Sequence, residues 1–210
     1  MGGVVTAVLR VTRGDVWTVV LDRPGRANAL SAELVEALHT TLDEAERAAP
    51  QALVLRGNAR HFAAGFDLGG LEHETDATLA LRFLRVGVLL ERLLAAPYVT
   101  VAVADGAAVG AGADLVLACD HRLVAPEVTL RFPGSAFGVA LGTVRRAELG
   151  AVPATGVPAD LADALRTPFS PRPSHDSDAE LAALARSVSV PGLRDRIAAH
   201  AARTLPKEHA

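Results

Sequence analysis

The chain has 210 residues, of which 50% are hydrophobic and 21% charged, a composition typical of a globular domain. Lys and Arg total 21 against 24 Asp and Glu, so the net charge of −3 argues against a nucleic-acid partner held by phosphate contacts. The one cysteine, Cys119, cannot form an internal disulfide and fits a reducing compartment. We recognise no signal peptide, membrane-spanning segment or polybasic patch, and therefore expect a cytoplasmic protein that binds neither nucleic acid nor a membrane.

Apolar runs and helical periodicity alternate through the first 150 residues. Val-rich runs predict strands at 4–11 and 16–21, separated by a turn cluster at 12–15. Ser31 is a plausible N-cap for a helix that extends to about Ala48. Further along, the pattern predicts a strand at 53–56, a loop at 61–70, a helix around 79–93, an apolar segment at 115–119, and strands at 98–104, 122–125 and 128–132. Strands that alternate with helices imply an α/β fold with mainly parallel pairing.

The character of the sequence changes after about residue 150. Prolines punctuate a stretch that ends at Pro173, and only weak helices are predicted beyond residue 150, near 159–165 and 178–188. We therefore divide the chain into a core domain at 1–150 and a divergent helical region at 151–210. This C-terminal region is either a loosely packed appendage or an arm that binds a partner.

Two loops rich in Gly and Ala follow buried strands, at 61–68 and 105–114. Small residues let a ligand approach the backbone closely, and a loop that opens a helix leaves amide groups without intrahelical acceptors. Two such loops side by side could hold one developing oxyanion between two N–H donors. Each loop is also a common packing device at the end of a strand. The Gly-Ala-Gly at 110–112 is a partial dinucleotide fingerprint, but Leu115 occupies the third glycine position.

An ordered set of short motifs covers roughly residues 5–147. The motifs are Leu-Asp-Arg-Pro at 21–24, Asn-Ala-Leu at 28–30, Phe-Ala-Ala-Gly-Phe-Asp-Leu at 62–68, Ala-Asp-Gly at 104–106, Gly-Ala-Gly-Ala-Asp-Leu at 110–115 and Cys-Asp at 119–120. In their order and spacing they resemble the enoyl-CoA hydratase/isomerase (crotonase) superfamily. Each motif alone is modest, but the ordered set is specific.

The resemblance implies a crotonase-like spiral of ββα units, here with a small, atypical helical C-terminal region. Such proteins usually form homo-oligomers, as trimers or dimers of trimers. The resemblance also implies an acyl-coenzyme A thioester as substrate, so coenzyme A enters as part of the substrate and no cofactor is covalently bound. Carried over by position, the backbone amides of Phe66 and Ala111 would hold the thioester carbonyl. Backbone amides can do so whatever their side chains, so the motif alone names no reaction.

A second set of positions matches the family's binding wall for coenzyme A. Arg26 could reach a phosphate of coenzyme A, although a solvated arginine fits the sequence equally well. Asn28 belongs to the same matching segment. The other residues that the resemblance assigns to binding are Ala27, Ala29, Ala64, Asp67, Leu68 and Gly110.

Two departures from the family's pattern bear on the reaction. A hydratase of this family is expected to use two glutamates, and this chain has Asp114 at the first position and Gly134 at the second. The side chain of Asp114 is one methylene shorter, and Gly134 has none, so concerted activation and protonation of water lacks one partner. Asp114 is therefore the candidate proton-transfer residue. Alternatively, it only stabilises the positive end of a helix.

Other candidate acid–base groups follow the first loop, at Glu72, His73 and Glu74. They could equally form the solvent-exposed start of a helix. Ser135 lacks the Gly-x-Ser-x-Gly elbow of serine hydrolases, and His61 is interpreted as structural. The histidines show no metal-ligand spacing, so no metal site is expected.

The C-terminal third departs from the family as well. The stretch at 142–146 is shorter than the family's Gly-rich segment, and a Pro-rich run at 168–173 stands where helices usually cover the acyl pocket and join subunits. Two hypotheses follow. The first is an active enzyme on an acyl-CoA thioester, through isomerisation, decarboxylation or thioester hydrolysis rather than two-glutamate hydration. The second is a non-catalytic relative that binds acyl-CoA or serves as a partner subunit.

Overall fold

The computed structural model describes residues 3–5, 8–142 and 176–204. The strands are, in chain order, β1 (Gly3–Val5), β2 (Leu9–Thr12), β3 (Val16–Leu21), β4 (Ala52–Arg56), β5 (His61–Ala63), β6 (Val99–Ala104), β7 (Ala107–Val109), β8 (His121–Val124) and β9 (Leu130–Arg131). The helices, numbered along the described residues, are α1 (Ala32–Ala48), α2 (Asp76–Leu94), α3 (Ala111–Ala118), α4 (Ser177–Val188) and α5 (Leu193–Thr204). Short 3-10 turns lie at Pro24–Arg26, Leu71–His73 and Pro133–Phe137.

The strands form two sheets that the chain visits in turn. The large sheet has the order β1-β2-β3-β4-β6-β8, with antiparallel pairing from β1 to β3 and parallel pairing from β3 onward. The small sheet, β5-β7-β9, is parallel throughout. Units β4-β5-α2 and β6-β7-α3 each place their first strand in the large sheet and their second in the small one. This repeated ββα arrangement confirms the predicted α/β fold.

Helix α1 begins where its capping residue predicts. The side chain of Ser31 accepts a hydrogen bond from the backbone amide of Leu34 at 3.2 Å, which satisfies one of the unpaired donors of the first turn. Leu34, Leu38 and Leu42 recur at helical spacing and are all at most 2% exposed. The helix therefore covers the sheet with its apolar face.

Several elements differ from the sequence expectations. The predicted strand at 4–11 is two antiparallel strands, because no Gly, Pro or Asn marks the reversal between β1 and β2. The predicted loop at 61–70 contains β5, and the small-residue stretch before α3 contains β7. Each of these strands has only three residues, too few for an alternating pattern to emerge.

The described part of the C-terminal region packs on α2. Leu184, Leu193 and Ile197 are at most 1% exposed and belong to the main hydrophobic core. A Cβ on Gly87 of α2 would lie 2.5 Å from the Leu184 side chain, so the two helices approach closely. The predicted helix at 178–188 is confirmed as α4, whereas α5 was not predicted. The predicted helix at 159–165 and the proposed boundary at 150 lie outside the described residues.

Candidate active site

A cavity of about 660 Å³ lies where the two Gly/Ala loops meet. Its lining includes residues 64–66 from the first loop and 109–111 from the second, together with Asp114. The 3-10 turn Pro133–Phe137 and helix α5 supply further lining residues. The structure thus brings together the three residues predicted to be catalytic, Phe66, Ala111 and Asp114.

The amide of Phe66 takes no part in the pairing between its loop and Leu30. Leu30 forms an isolated parallel bridge with Phe66, in which the Leu30 amide donates to Gly65 O at 2.7 Å and Asp67 N donates to Leu30 O at 3.2 Å. In a parallel pairing the residue on one side bonds the two residues that flank its partner, so Phe66 itself is skipped. Among the turn and loop hydrogen bonds of the described residues, none uses the Phe66 amide.

The amide of Ala111 opens helix α3. Gly110 is the N-cap, and its own amide donates to Arg131 O of β9 at 2.6 Å. Ala111 is the first helical residue, so its N–H has no acceptor one turn back along the helix. Within the described part of the chain, no turn or loop hydrogen bond uses this amide either.

The two loops are in direct backbone contact at Gly65. A Cβ there would lie 2.5 Å from Val109 O and 3.3 Å from Ala111 N, and the Gly65 φ of 87° is one that other residues rarely adopt. Only glycine fits both conditions. The contact places the peptide preceding Phe66 beside the amide of Ala111, as a site with two N–H donors requires.

The carboxylate of Asp114 lies in the first turn of α3 and is buried. The residue is 1% exposed and lines the cavity, and its amide donates to Gly110 O at 3.0 Å. A Cβ on Gly142 would collide with Oδ1 of Asp114 and lie 2.9 Å from Cγ. Gly142 also has a φ of 63°. The backbone at Gly142 therefore confines the carboxylate beside the cavity.

Gly134 lines the same cavity without contributing a side chain. A Cβ at this position would meet Val139 O at 3.5 Å, an ordinary contact. The space would therefore admit a small side chain.

Phe66 is held in place by two neighbours from α2. Its ring stacks on Phe83 with centroids 3.9 Å apart and an angle of 10° between the planes, and the Arg82 guanidinium lies 4.4 Å from the Phe66 ring centroid. Arg82 also pairs with Glu74 and donates to Asp67 O at 2.9 Å. These contacts hold the first loop in place beside the cavity.

The alternative acid–base candidates do not line this cavity. A hydrogen bond from Thr78, together with the ion pair to Arg82, holds the pKa of Glu74 below its usual value. Glu72 and His73 contact each other at 3.5 Å, and their side chains are 71% and 85% exposed. The side chain of Ser135 lies outside the described residues.

Some of the residues predicted to bind coenzyme A line the cavity, and the others lie in or beside the loops that form it. Ala64, Leu68 and Gly110 line the cavity. Ala27 accepts a hydrogen bond from the Ala64 amide at 3.0 Å and has a φ of 50°. Arg26 is exposed, and its guanidinium lies beside Gly69.

Asn28 holds this wall against the first loop. It is fully buried at a φ of 54°, and its amide nitrogen donates to His61 O at 3.1 Å and to Phe62 O at 3.2 Å. Its Oδ1 accepts from the Arg23 amide at 2.9 Å. Because these bonds fix the residue from both sides, they stabilise a conformation that a non-glycine residue rarely adopts.

Asp67 forms an ion pair beneath the loop instead of lining the cavity. Its carboxylate lies 2.9 Å from the Arg23 guanidinium, which also donates to the carbonyl of Ala29. Burial raises the pKa of Asp67, but the Gly69 amide and Arg23 outweigh that effect and hold it below its usual value. Ala29 and Asp67 therefore connect the two segments that build the wall.

The cavity also contains groups that the sequence did not indicate. His200 reaches it from α5, and its ring centroid lies 5.1 Å from that of Phe137. Arg131 lines it from β9. No motif joined either position to Asp114, and α5, which carries His200, was not predicted.

The family sequence model of enoyl-CoA hydratase/isomerase matches residues 12–149, which include both loops and Asp114. The chain belongs to the enoyl-CoA hydratase/isomerase family. The resemblance drawn from the motifs is thereby confirmed.

Individual relatives support this assignment. The chain is 40% identical over 135 residues to a Mycobacterium tuberculosis protein named "Probable enoyl-CoA hydratase echA6", an alignment that spans 64% of this chain and 54% of that protein. It is 30% identical over 141 residues to the human ethylmalonyl-CoA decarboxylase, covering 64% and 45% of the two chains. The chain thus spans about half the length of the curated relatives it matches.

A solved structure covers almost the whole chain. A Bordetella parapertussis protein whose name places it among the enoyl-CoA hydratase/isomerases superposes with a TM-score of 0.83 and 36% identity, over 95% of this chain and 99% of that one. A Mycobacterium paratuberculosis structure of 18% identity superposes with a TM-score of 0.68 and supports the fold alone. In the described residues, no helix is both long and apolar enough to cross a membrane. The same residues contain no cluster of three or more His, Cys, Asp or Glu arranged to hold a metal.

Proposed function

We propose that this family member acts on an acyl-CoA thioester. The thioester oxygen would accept hydrogen bonds from the amides of Phe66 and Ala111, and Asp114 would remove the proton from the adjacent carbon. The observation that carries the proposal is that Phe66, Ala111 and the buried Asp114 line one cavity, and that no turn or loop hydrogen bond of the described residues uses the amide of Phe66 or Ala111. When the C–H electrons move into the enolate, the negative charge develops on the oxygen that the amides bind. One such donor typically lowers the barrier by about 2.7–4 kcal/mol.

Isomerisation, decarboxylation or thioester hydrolysis fits the site better than two-carboxylate hydration. Hydration by that route needs a second carboxylate, and Gly134 supplies no side chain where it would be expected. The relatives include a protein named as a decarboxylase as well as proteins named as hydratases, so this scaffold serves more than one reaction.

Coenzyme A would lie along the wall built by 26–29, Ala64 and Leu68. Arg26 is exposed there and carries the charge that a phosphate would need. The homo-oligomer, as trimer or hexamer, and the cytoplasmic location stay predictions of the resemblance.

A second candidate function is a non-catalytic relative that binds acyl-CoA or supports a partner subunit. The observation that favours it is the missing side chain at Gly134. A stable complex with a neighbouring enzyme, seen as added mass in size-exclusion chromatography, would support it.

The experiment that tests the proposal incubates the protein in heavy water with enoyl-, β-keto-, malonyl-type and saturated acyl-CoA thioesters. Mass spectrometry then follows each thioester. We expect deuterium uptake, loss of CO2 or release of coenzyme A with at least one of them. A folded protein that changes none of these thioesters would contradict catalysis and favour the second candidate.

A further inference from the structure

Besides Asp114 and Arg131, His200 is a third titratable side chain at the cavity. It lies on the last helix, is half-buried, and lines the cavity together with Phe137 and Gly134. Imidazole can accept and donate a proton near neutral pH, unlike any other side chain at its ordinary pKa. Gly134, which has no side chain, and His200 therefore line the same cavity.

Hydrogen bonds and buried side chains hold α5, the helix that carries His200, in a fixed position. Asp76, at the start of α2, accepts hydrogen bonds from Gly192 N at 2.7 Å and Arg194 N at 2.8 Å, so it caps the first turn of α5. Leu193 and Ile197 are fully buried. The helix is thus anchored at its first turn and along its apolar face.

A second tether joins α5 to the 3-10 turn that lines the cavity. Nε of Arg196 donates to Phe137 O at 3.1 Å, and the rings of Phe137 and His200 are 5.1 Å apart. Arg196 and His200 are four residues apart and therefore lie on one face of the helix. Phe137 thus contacts two residues of α5 that lie about one helical turn apart, which fixes the position of the imidazole relative to the 3-10 turn.

We infer that His200 is a second proton-transfer residue and that it serves double-bond isomerisation. This inference rests on the proposed acyl-CoA function. Asp114 is short and is confined by Gly142, so it is poorly suited to carry a proton from one carbon of an acyl chain to another two bonds away. A histidine at the same cavity supplies the second group that such a transfer needs.

The step balances for a 3-enoyl thioester. Asp114 takes a proton from C2, and the C2–H electron pair forms a dienolate whose charge lies on the thioester oxygen between the two amides. Protonated His200 then donates its proton to C4, so the C3–C4 double bond becomes a C2–C3 double bond. Exchange with solvent returns the proton on Asp114 to water and restores the proton on His200. The net reaction is an isomerisation with no co-reactant.

The test compares His200→Gln with His73→Gln, a control that makes the same change at a side chain 85% exposed and outside the cavity. Each variant and the parent receive a 3-enoyl-CoA in heavy water. The measurements are hydrogen exchange at C2, deuterium incorporation at C4, and the dissociation constant of a saturated acyl-CoA. Unchanged binding shows that a variant is folded, and His200→Asn provides a second neutral replacement.

The parent and His73→Gln are expected to exchange C2 and to deuterate C4. His200→Gln is expected to keep binding and C2 exchange but to lose C4 deuteration by about 10²–10⁴-fold. Equal C4 deuteration in the parent and in a folded His200 variant would overturn the inference, as would a parent that exchanges C2 and never deuterates C4. A parent that neither binds nor exchanges any thioester would overturn the proposed function itself, and the inference with it.

Discussion

Leu30 bridges to Phe66 through hydrogen bonds that use Gly65 and Asp67 but not Phe66 itself. The pairing that secures the first loop to the rest of the fold is therefore the same pairing that leaves the Phe66 amide directed elsewhere. Together with the first amide of α3, at Ala111, it gives the cavity two N–H donors that depend on no side chain.

Replacing Gly65 by Ala is expected to separate these two donors. The new Cβ would meet Val109 O at 2.5 Å and Ala111 N at 3.3 Å, so one of the loops must move. We expect turnover of a thioester substrate to fall by about 10²-fold or more, since one oxyanion donor alone contributes that much. Gly70→Ala is the matched control, because Gly70 has a similar φ of 72° and nothing within 4 Å of its Cβ. Equal activity in both variants would contradict the two-donor site.

Replacing Asp114 by Asn is expected to slow the proton transfer while leaving the fold intact. The amide is nearly the same size as the carboxylate but cannot accept the proton, so exchange at C2 should fall by about 10²–10⁴-fold. Asp105→Asn is the control, because Asp105 does not line this cavity and forms an ion pair with Arg56 at 2.7 Å. Mass spectrometry measures deuterium exchange at C2 in both variants. Unchanged exchange in Asp114→Asn would remove this residue from the mechanism.

Replacing Asp67 by Asn is expected to destabilise the protein by about 3 kcal/mol, because Arg23 keeps a charge that is poorly solvated. The side chains of this pair are 16% and 13% exposed. Asp22→Asn breaks a pair with Arg10 whose side chains are 34% and 54% exposed, and should cost less than about 1 kcal/mol. Urea unfolding measures both, and similar losses would contradict a supporting role for Asp67.

The same variant has a predicted pH dependence. The pKa of Asp67 is lowered in the folded protein, so its stabilisation is present above the ordinary Asp range and is lost as the pH falls through the lowered value. The difference in unfolding free energy between the parent and Asp67→Asn should therefore shrink below about pH 4. A difference that is constant into strong acid would show that Asp67 contributes through shape alone.

His39 is expected to make the protein less stable at mildly acidic pH. Nδ1 of His39 lies 3.2 Å from Nη1 of Arg92, which can only donate, so Nδ1 accepts and Nε2 donates to Arg85 O at 3.1 Å. Burial, the largest cause, holds the pKa of His39 below its usual value. The unfolded chain therefore binds a proton more readily as the pH falls below about 6.5, and stability declines.

The check is the free energy of unfolding at pH 7.5 and 5.5. His39→Gln is expected to show a smaller difference between the two pH values than the parent does, even where its stability is lower overall. The pKa of His121 is also lowered, chiefly by burial. His121→Gln therefore measures how much this second histidine contributes to the loss of stability at acidic pH. Identical pH dependence in the parent and in His39→Gln would contradict this assignment.

The elements that the sequence predicted well are those with a long apolar repeat. Helix α1 has an identifiable cap at Ser31 and three buried leucines at helical spacing, and α2 is similarly periodic. Strands β5 and β7 have three residues each, and their pairing depends on a partner more than 40 residues away. Short strands of this kind are determined by tertiary contacts instead of local pattern.

The site shows the same division. The positions of Phe66, Ala111 and Asp114 followed from ordered motifs, whereas the contacts that hold them did not. Gly142 confines Asp114 from 28 positions further along the chain, a relation that only the folded backbone reveals. His200 lies on α5, a helix that was not predicted, and its place at the cavity depends on a tertiary contact with Phe137 that no local pattern indicates.

The measurement that tests the central claim most directly is the infrared spectrum of a saturated acyl-CoA labelled with 13C at the thioester carbonyl. Hydrogen bonds from two amides polarise that carbonyl, so its band should move to lower frequency when the thioester binds the parent protein. The shift should be smaller in Gly65→Ala and preserved in Gly70→Ala. A thioester that saturates the parent while its carbonyl band stays at the position seen in water would contradict a site built on the amides of Phe66 and Ala111.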